Sequence, residues 1–219
     1  MTNILINGVS GKMGTSLLKF CASNKNVEIC DDLNDDSLEV IIDFSHPDST
    51  LKLLKSLPTK QISLIIGTTG LKEEHFQYIE EISKDKRILL APNLSKGISV
   101  LKNTIVDFID ENDREWHCII EETHHDQKID SPSGTAIELK KIIESNLITD
   151  IEIISKRTGK IFGIHKIIFY KGTNRIEFMH ESKSRNIYSD GALQAAHWIK
   201  DKKKGLYSFE DFMKSSNSL

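Results

Sequence analysis

Cysteine is scarce in this chain. Three in 219 residues (Cys21, Cys30 and Cys118) stand far apart, with no CxxC pair. That leaves no disulfide framework and no cysteine-based zinc site, and the thiols read as free groups of a reducing compartment. Long apolar runs are missing too, so no transmembrane helix is expected. Met1 leads straight into a strand-like run, and no signal peptide is expected either. Cytoplasmic localisation follows as the expectation. There is no excess of positive charge: the formal net charge is −3, which gives no reason to expect a nucleic-acid or membrane partner. Internal repeats and low-complexity linkers are also absent.

What remains has the composition of a globular protein, with 38% hydrophobic and 28% charged residues. Short apolar runs at 3–7, 27–30, 40–44, 63–66 and 88–91 predict buried strands, and helical spacing fills 12–23, 49–57 and 72–83. Strand–helix alternation of this kind predicts a Rossmann-like, doubly wound parallel sheet in an α/β fold. The pattern then changes. A helix over 98–109, a strand over 116–122, a helix over 135–145 and β-rich runs at 151–155, 164–170 and 175–180 predict a smaller α+β domain with a mixed sheet. Residues 171–174 (KGTN) read as its hairpin turn. Helical patterns at 192–199 and 209–213 close the chain, with 200–204 read as a solvated helix end. The expected organisation is a dinucleotide-binding domain over 1–95 with a C-terminal return over 186–219, and a substrate-binding and oligomerisation domain over 96–185.

Four segments carry candidate chemistry. Gly8, Val9, Ser10, Gly11, Lys12, Met13 and Gly14 follow the first strand and open the first helix, where glycines let backbone amides approach a pyrophosphate. The spacing is G-x-x-G-x-x-G, and the strand–helix setting is what gives it weight. About twenty residues on, Asp31 and Asp32 sit where an acidic side chain takes ribose hydroxyls. A carboxylate there repels a 2′-phosphate, so NADH is favoured, with NADPH use left open through Lys12. Gly67, Thr68, Thr69 and Gly70, and then Ala91, Pro92, Asn93 and Leu94, lie at the carboxyl ends of the fourth and fifth strands, where open α/β sheets bind ligands.

The fourth segment is 121–136, EETHHDQKIDSPSGTA. His124 and His125 are followed by Lys128, and Pro132-Ser133-Gly134-Thr135 opens a helix. A histidine holds a proton near neutral pH, a lysine attracts a carboxylate, and free helix N-terminal amides form an anion site. Metal binding is the weaker reading, because adjacent residues of an extended segment point opposite ways. No partner His or Cys stands at ligand spacing either, so no metal is expected.

With these segments in order, the chain resembles the 4-hydroxy-tetrahydrodipicolinate reductase (dihydrodipicolinate reductase) family, in a short form. GVSGKMG, VIIDFSHP, GTTG, APNLS, ETHHDQKIDSPSGTA and the late Ser184-Arg185…Asp190-Gly191-Ala192 carry the likeness over nearly the whole chain. The resemblance implies a two-domain subunit, a homotetramer formed through the second domain's sheet, and NADH- or NADPH-dependent reduction of a cyclic, unsaturated imine dicarboxylate in lysine and diaminopimelate biosynthesis. By the same resemblance, His124 matches the proton donor and Lys128 the carboxylate-binding lysine. His125, Ser133, Gly134 and Thr135 match substrate positions; residues 8–13, 67–69 and 91–94, with Asp31 or Asp32, match cofactor contacts. Asp126 stands where many members carry a basic residue, and His46 where an arginine is familiar. Two other functions fit the scaffold alone: a redox-sensing NAD(H)-binding regulator, or an amino-acid dehydrogenase of similar plan. The 124–135 string separates both from the reductase.

Overall fold

The apolar runs of the first half become central strands because their Ile, Val and Leu side chains are driven out of water, while Asn7 and Asp43 at the strand ends hydrogen-bond one another. In the computed structural model, which describes residues 1–112, 115–146 and 148–216, the elements run β1 (Thr2–Asn7), α1 (Lys12–Ala22), β2 (Val27–Ile29), β3 (Val40–Asp43), α2 (Pro47–Lys55), β4 (Ser63–Ile66), α3 (Glu73–Ser83) and β5 (Arg87–Leu90). Then come α4 (Lys96–Asp110), β6 (His117–His124), α5 (Gly134–Ser145), β7 (Ile151–Arg157), β8 (Gly163–Lys171), β9 (Asn174–Ser182), α6 (Asn186–Ile199), β10 (Gly205–Tyr207) and α7 (Phe209–Ser216). The chain divides into two compact units, Met1–Ser95 with Asn186–Leu219, and Lys96–Arg185. Residues 217–219 of the expected C-terminal return lie outside the described residues.

The first unit is a six-stranded sheet in the order β10-β5-β4-β3-β1-β2, parallel throughout. Alternate residues of each strand serve two cores, as the pleat requires. Val40, Ile42, Ile65 and Leu89 meet Leu17 of α1, Ala192, Ala196 and Ile199 of α6, and Phe209 and Phe212 of α7. Ile41 faces Leu53 of α2, while Leu64, Ile66 and Ile88 face Leu54 of α2 and Ile79 of α3. The doubly wound Rossmann-like expectation is therefore met. The chain leaves β1 for β2 on one side and returns to β3 on the other, so the sheet's switch point lies between β1 and β3. No helix joins β2 to β3; in its place, Leu33 and Leu38 of the connecting segment fold onto the sheet.

The second unit has the sheet order β7-β6-β8-β9. β7 is parallel to β6, β8 antiparallel to β6 and β9 antiparallel to β8. This is the mixed sheet of the α+β expectation. One face packs Cys118, Ile120, Ile167 and Phe169 against Ile98, Leu101 and Ile105 of α4 and Ala136, Leu139 and Ile143 of α5. β8 and β9 are joined as expected by a tight hairpin, with Lys171 paired to Asn174 and Gly172 at φ +58.

Three expectations need correction. Gly205–Tyr207 is a sixth strand beyond the stretch read as a solvated helix end, held by Gly205 N donating to Lys86 O at 3.0 Å; three residues carry too little periodicity to announce a strand. α6 begins at Asn186, ahead of the expected 192, because its polar first half is fixed by packing: a Cβ on Gly191 would meet Leu94 O at 1.9 Å. β6 runs on to His124, because β7 and β8 pair with it up to the histidine. No helix among the described residues is long and apolar enough to cross a membrane.

Candidate active site

In the first unit three strand-end loops meet around Phe44, a residue the sequence reading did not single out. Gly8 has φ +90, and a Cβ there would lie 2.7 Å from Phe44 O; a Cβ on Gly67 would strike the Phe44 ring at 2.4 Å and meet Leu94 Cδ1 at 3.2 Å. Each glycine exists to let backbone close on backbone or ring. Gly11 forms the N-cap of α1 without a side-chain cap, and no acidic residue sits in the helix's first turn. An unshielded helix N-terminus after a glycine turn fits a dinucleotide's pyrophosphate.

Behind these loops lies a buried polar knot. Asp43 is fully buried; its Oδ1 accepts from Asn7 Nδ2 at 2.9 Å and Ser45 Oγ at 2.6 Å, and its Oδ2 from Thr50 Oγ1 at 2.5 Å. Thr68 Oγ1 lies 3.0 Å from Thr50 Oγ1, so the Thr68 side chain faces inward while Thr69 is exposed. Ala91 and Leu94 are likewise core side chains, leaving Pro92 exposed and Asn93 half-buried. From such positions Thr68, Ala91 and Leu94 have only backbone to offer a ligand. Asp31 and Asp32 are both exposed. Asp32 Oδ1 accepts from Asn34 N at 2.9 Å in a local Asx turn.

In the second unit the polar end of the sheet gathers the remaining candidates. Strand alternation places Ile120, Glu122 and His124 on the helix-covered face, and register places His165 opposite Glu122 on β8 and Arg157 opposite His124 on β7. Glu122 is fully buried and His124 is 7% exposed, with the Glu122 Oε2 carboxylate oxygen against His124 Nδ1. Arg157 Nη2 donates to Glu122 Oε1 at 2.8 Å and to Asp130 O at 2.5 Å, tying the strand end to the loop. Ser133 N also donates to Glu122 Oε1, at 3.3 Å. Ser133 is the N-cap of α5, accepting from Ala136 N at 3.2 Å, and its Oγ lies 3.3 Å from His165 Nε2. The imidazoles of His124 and His165 meet edge to face at 5.1 Å.

Lys128 Nζ sits 2.8 Å from Asp130 Oδ1, and Lys128 N donates to His125 O at 3.1 Å. His125 lies just past the strand, half-buried, while Gly134 has no neighbour within 4 Å of where a Cβ would stand. Thr135 is half-buried and Asp126 exposed, Asp126 N donating to Gly159 O at 3.3 Å.

Burial would raise the Glu122 carboxyl, but the hydrogen bond from Arg157 and the charge and hydrogen bond of His124 hold it below its ordinary value. For His124 burial is the largest influence and lowers the imidazole; Lys128 and Arg157 lower it further, against the opposing pull of Glu122, and the net shift is downward. His165 is pushed by burial down to about 3 and stays neutral. Glu122, His124 and His165 offer ligand atoms within 4.8 Å of one another. Strand pairing thus supplies the partner histidine that sequence spacing did not reveal. The Arg157 guanidinium already on this carboxylate opposes a second cation, so the cluster suits proton handling better than metal.

Glu122, Arg157 and His165 were not among the expected site residues. Glu121, which opens the E-x-x-H-H string, points to the other face, 3.5 Å from Lys156 Nζ. The signal for Glu122 was there: a carboxylate two positions before a histidine on one strand shares its face.

Residues 97–213 match the family model described as dihydrodipicolinate reductase, C-terminus, and residues 24–94 match the one described as dihydrodipicolinate reductase, N-terminus. The chain belongs to the dihydrodipicolinate reductase family. Among curated relatives, the 4-hydroxy-tetrahydrodipicolinate reductase of Thermosipho africanus is 36% identical, over 95% of this chain and 96% of that protein. That of Rickettsia rickettsii is also 36% identical, over 98% of this chain and 100% of that protein. A dihydrodipicolinate reductase from Paenisporosarcina sp. TG-14, solved with dipicolinate bound, shares the fold with a TM-score of 0.75 at 21% identity, covering 96% of this chain and 99% of that one. Within the dihydrodipicolinate reductase family the present chain keeps both regions.

Proposed function

We propose that the protein reduces 4-hydroxy-tetrahydrodipicolinate to tetrahydrodipicolinate in lysine and diaminopimelate biosynthesis, with a nicotinamide dinucleotide as reductant. The observation that carries this reading is the grouping of His124, Glu122, Arg157, Lys128 and the α5 N-terminus at one end of the second sheet, in a chain of this family. When bound, the cofactor supplies a hydride. Loss of the 4-hydroxyl as water leaves the conjugated dihydro ring, and His124 Nε2 gives a proton to the ring carbon next to the one reduced, quenching the charge that the added hydride drives through that system; hydride, proton and departing water together account for the product. Lys128 Nζ and the amides of Gly134 and Thr135 hold a substrate carboxylate, with Ser133 fixing the helix start and His125 flanking the anion. Residues 8–13, 67–69 and 91–94 hold the dinucleotide largely through backbone. Asp31, whose carboxylate is not turned to Asn34 as that of Asp32 is, takes the adenosine ribose and favours NADH over NADPH. We further assign a cytoplasmic location, no nucleic-acid or membrane partner, no metal, and a homotetramer assembled through the uncovered face of the β7-β6-β8-β9 sheet.

The deciding experiment supplies substrate in situ from the preceding synthase and follows loss of NADH or NADPH absorbance. Substrate-dependent oxidation is expected, faster with NADH. Tight cofactor binding without turnover would support the redox-sensing alternative instead.

Two variants test the anion site. Lys128→Ala removes one charge-assisted hydrogen bond, and kcat/KM should fall about 10- to 100-fold; wild-type kinetics would remove Lys128 from the carboxylate. Gly134→Ala meets no atom within 4 Å, so thermal melting should stay at or above the wild-type temperature. The added methyl occupies ligand space, and KM for substrate should rise by about tenfold, a loss of roughly 1.4 kcal/mol of binding. An unchanged KM would show that the anion does not approach this turn.

A further inference from the structure

A proton donor must carry its proton on the edge that faces the reaction, and the buried hydrogen bonds around Glu122 decide which edge that is. Glu122 Oε1 receives Arg157 Nη2 at 2.8 Å and Ser133 N at 3.3 Å. Both partners can only donate, since a guanidinium in a protein keeps its protons and a peptide N–H has no lone pair to offer. With Arg157 in place the carboxyl is ionised, so Oε2 is an acceptor as well. His124 Nδ1 lies against Oε2 and must therefore bear a hydrogen. In the neutral ring this leaves Nε2 as the bare nitrogen, and a proton taken up from water lands there. Nε2 faces the space left by Gly163, where a Cβ would stand only 3.1 Å away.

The groups around the ring do not compete for that proton. Arg157 on β7 is a fixed cation. Lys128, paired with Asp130 in the following loop, is also cationic. His165 on β8 is buried and neutral, and burial also lowers the imidazole of its half-buried neighbour His180 on β9. On α5, the Ser133 hydroxyl accepts from Ala136 N and so has its own proton to give to His165 Nε2.

We propose that Glu122 is a positioning residue: its buried carboxylate, clamped by Arg157 and the Ser133 amide, locks His124 as the Nδ1-protonated tautomer and makes Nε2 the edge that gains and releases the catalytic proton. This rests on the reading of His124 as proton donor. Glu122→Gln is the sharpest probe. Arg157 and Ser133 claim the amide oxygen, so the amide NH2 turns to His124 Nδ1, and the ring must move its hydrogen to Nε2. The imidazolium would then set its Nδ1–H against the amide NH2, donor facing donor, and forms only at lower pH.

The experiment combines histidine-labelled NMR with kinetics on the full chain. Wild-type His124 is expected to show the 13C and 15N shifts of the Nδ1-H form at high pH, and Glu122→Gln those of the Nε2-H form with protonation at lower pH. The variant's kcat should fall about 10- to 100-fold with KM within about threefold, and its pH–rate limb should move to lower pH. Glu122→Asp should restore the tautomer and part of the rate. A wild-type ring in the Nε2-H form overturns the proposal, and so does a slow Glu122→Gln enzyme with unmoved tautomer and pH limb, which marks a merely structural role. If Glu122→Gln does not fold, the wild-type spectrum still decides. A wild-type protein without turnover sinks the reductase reading, while the tautomer is judged from the spectra alone.

Discussion

Replacing His124 by glutamine should lower kcat by about 10²–10⁴-fold, the range that a positioned general acid contributes, while Kd for NADH stays within about twofold. Glutamine matches the polarity and approximate reach of the imidazole, so it preserves burial at the end of β6. Its side-chain amide has no proton to release near neutral pH. The pH dependence gives an independent check. On the proposed reading protonated His124 is the active form, and burial with the Lys128 and Arg157 charges sets its pKa below the ordinary imidazole value. In the free enzyme kcat/KM should therefore decline as pH rises, with a midpoint below that ordinary value. Two substrate carboxylates stabilise the imidazolium, so the limb in kcat should lie at higher pH than the limb in kcat/KM. His124→Gln should abolish this limb. A variant with wild-type kcat, or one that keeps the limb, would remove His124 from the donor role.

How far the sequence foretold this arrangement depended on the range of the interaction. β3 and β4 were legible because each has all four residues buried, and a strand covered on both faces reads as an unbroken apolar run. α5 was legible for local reasons, with Ser133 as N-cap just before the helical spacing. His124, Lys128 and Gly134 lie in one stretch of chain, so their grouping needed no fold. Arg157 reaches Glu122 from 35 positions away, and His165 reaches Ser133 from 32. Those contacts exist only through the registers β6–β7 and β6–β8, which spacing cannot express. The same limit hid the inward turn of Thr68, which is drawn to Thr50 on α2. It also hid the first half of α6, where Gly191 against Leu94 O supplies by packing what the polar sequence lacks in propensity.

Gly14→Ala should be the most damaging glycine replacement in the cofactor loop, and it tests whether that loop needs its close approach. A Cβ at Gly14 would fall 2.1 Å from Gly8 O and 2.8 Å from Val9 Cα. Neither atom can yield cheaply. Gly8 sits at φ +90, where an added Cβ would stand 2.7 Å from Phe44 O and 2.9 Å from Ser45 Cα, and its carbonyl already accepts from Gly11 N at 3.0 Å. The helix must move instead, and α1 is anchored in the core through Leu17 and Cys21. Overpacking usually costs about 1–3 kcal/mol where side chains give way; with backbone on the far side of the contact, a loss near or above ~3 kcal/mol is expected. Thermal melting should fall by several degrees or more, about 2–8 °C per kcal/mol for domains of this size range. Because the displaced turn carries the amides that we propose hold the pyrophosphate, Kd for NADH should rise at least about tenfold even at temperatures where the variant is folded. Gly134→Ala, with open space at its Cβ, is the control that separates a general glycine effect from this contact. Wild-type melting and cofactor affinity in Gly14→Ala would mean that the G-x-x-G-x-x-G turn is held by something other than the Gly8–Gly14 approach.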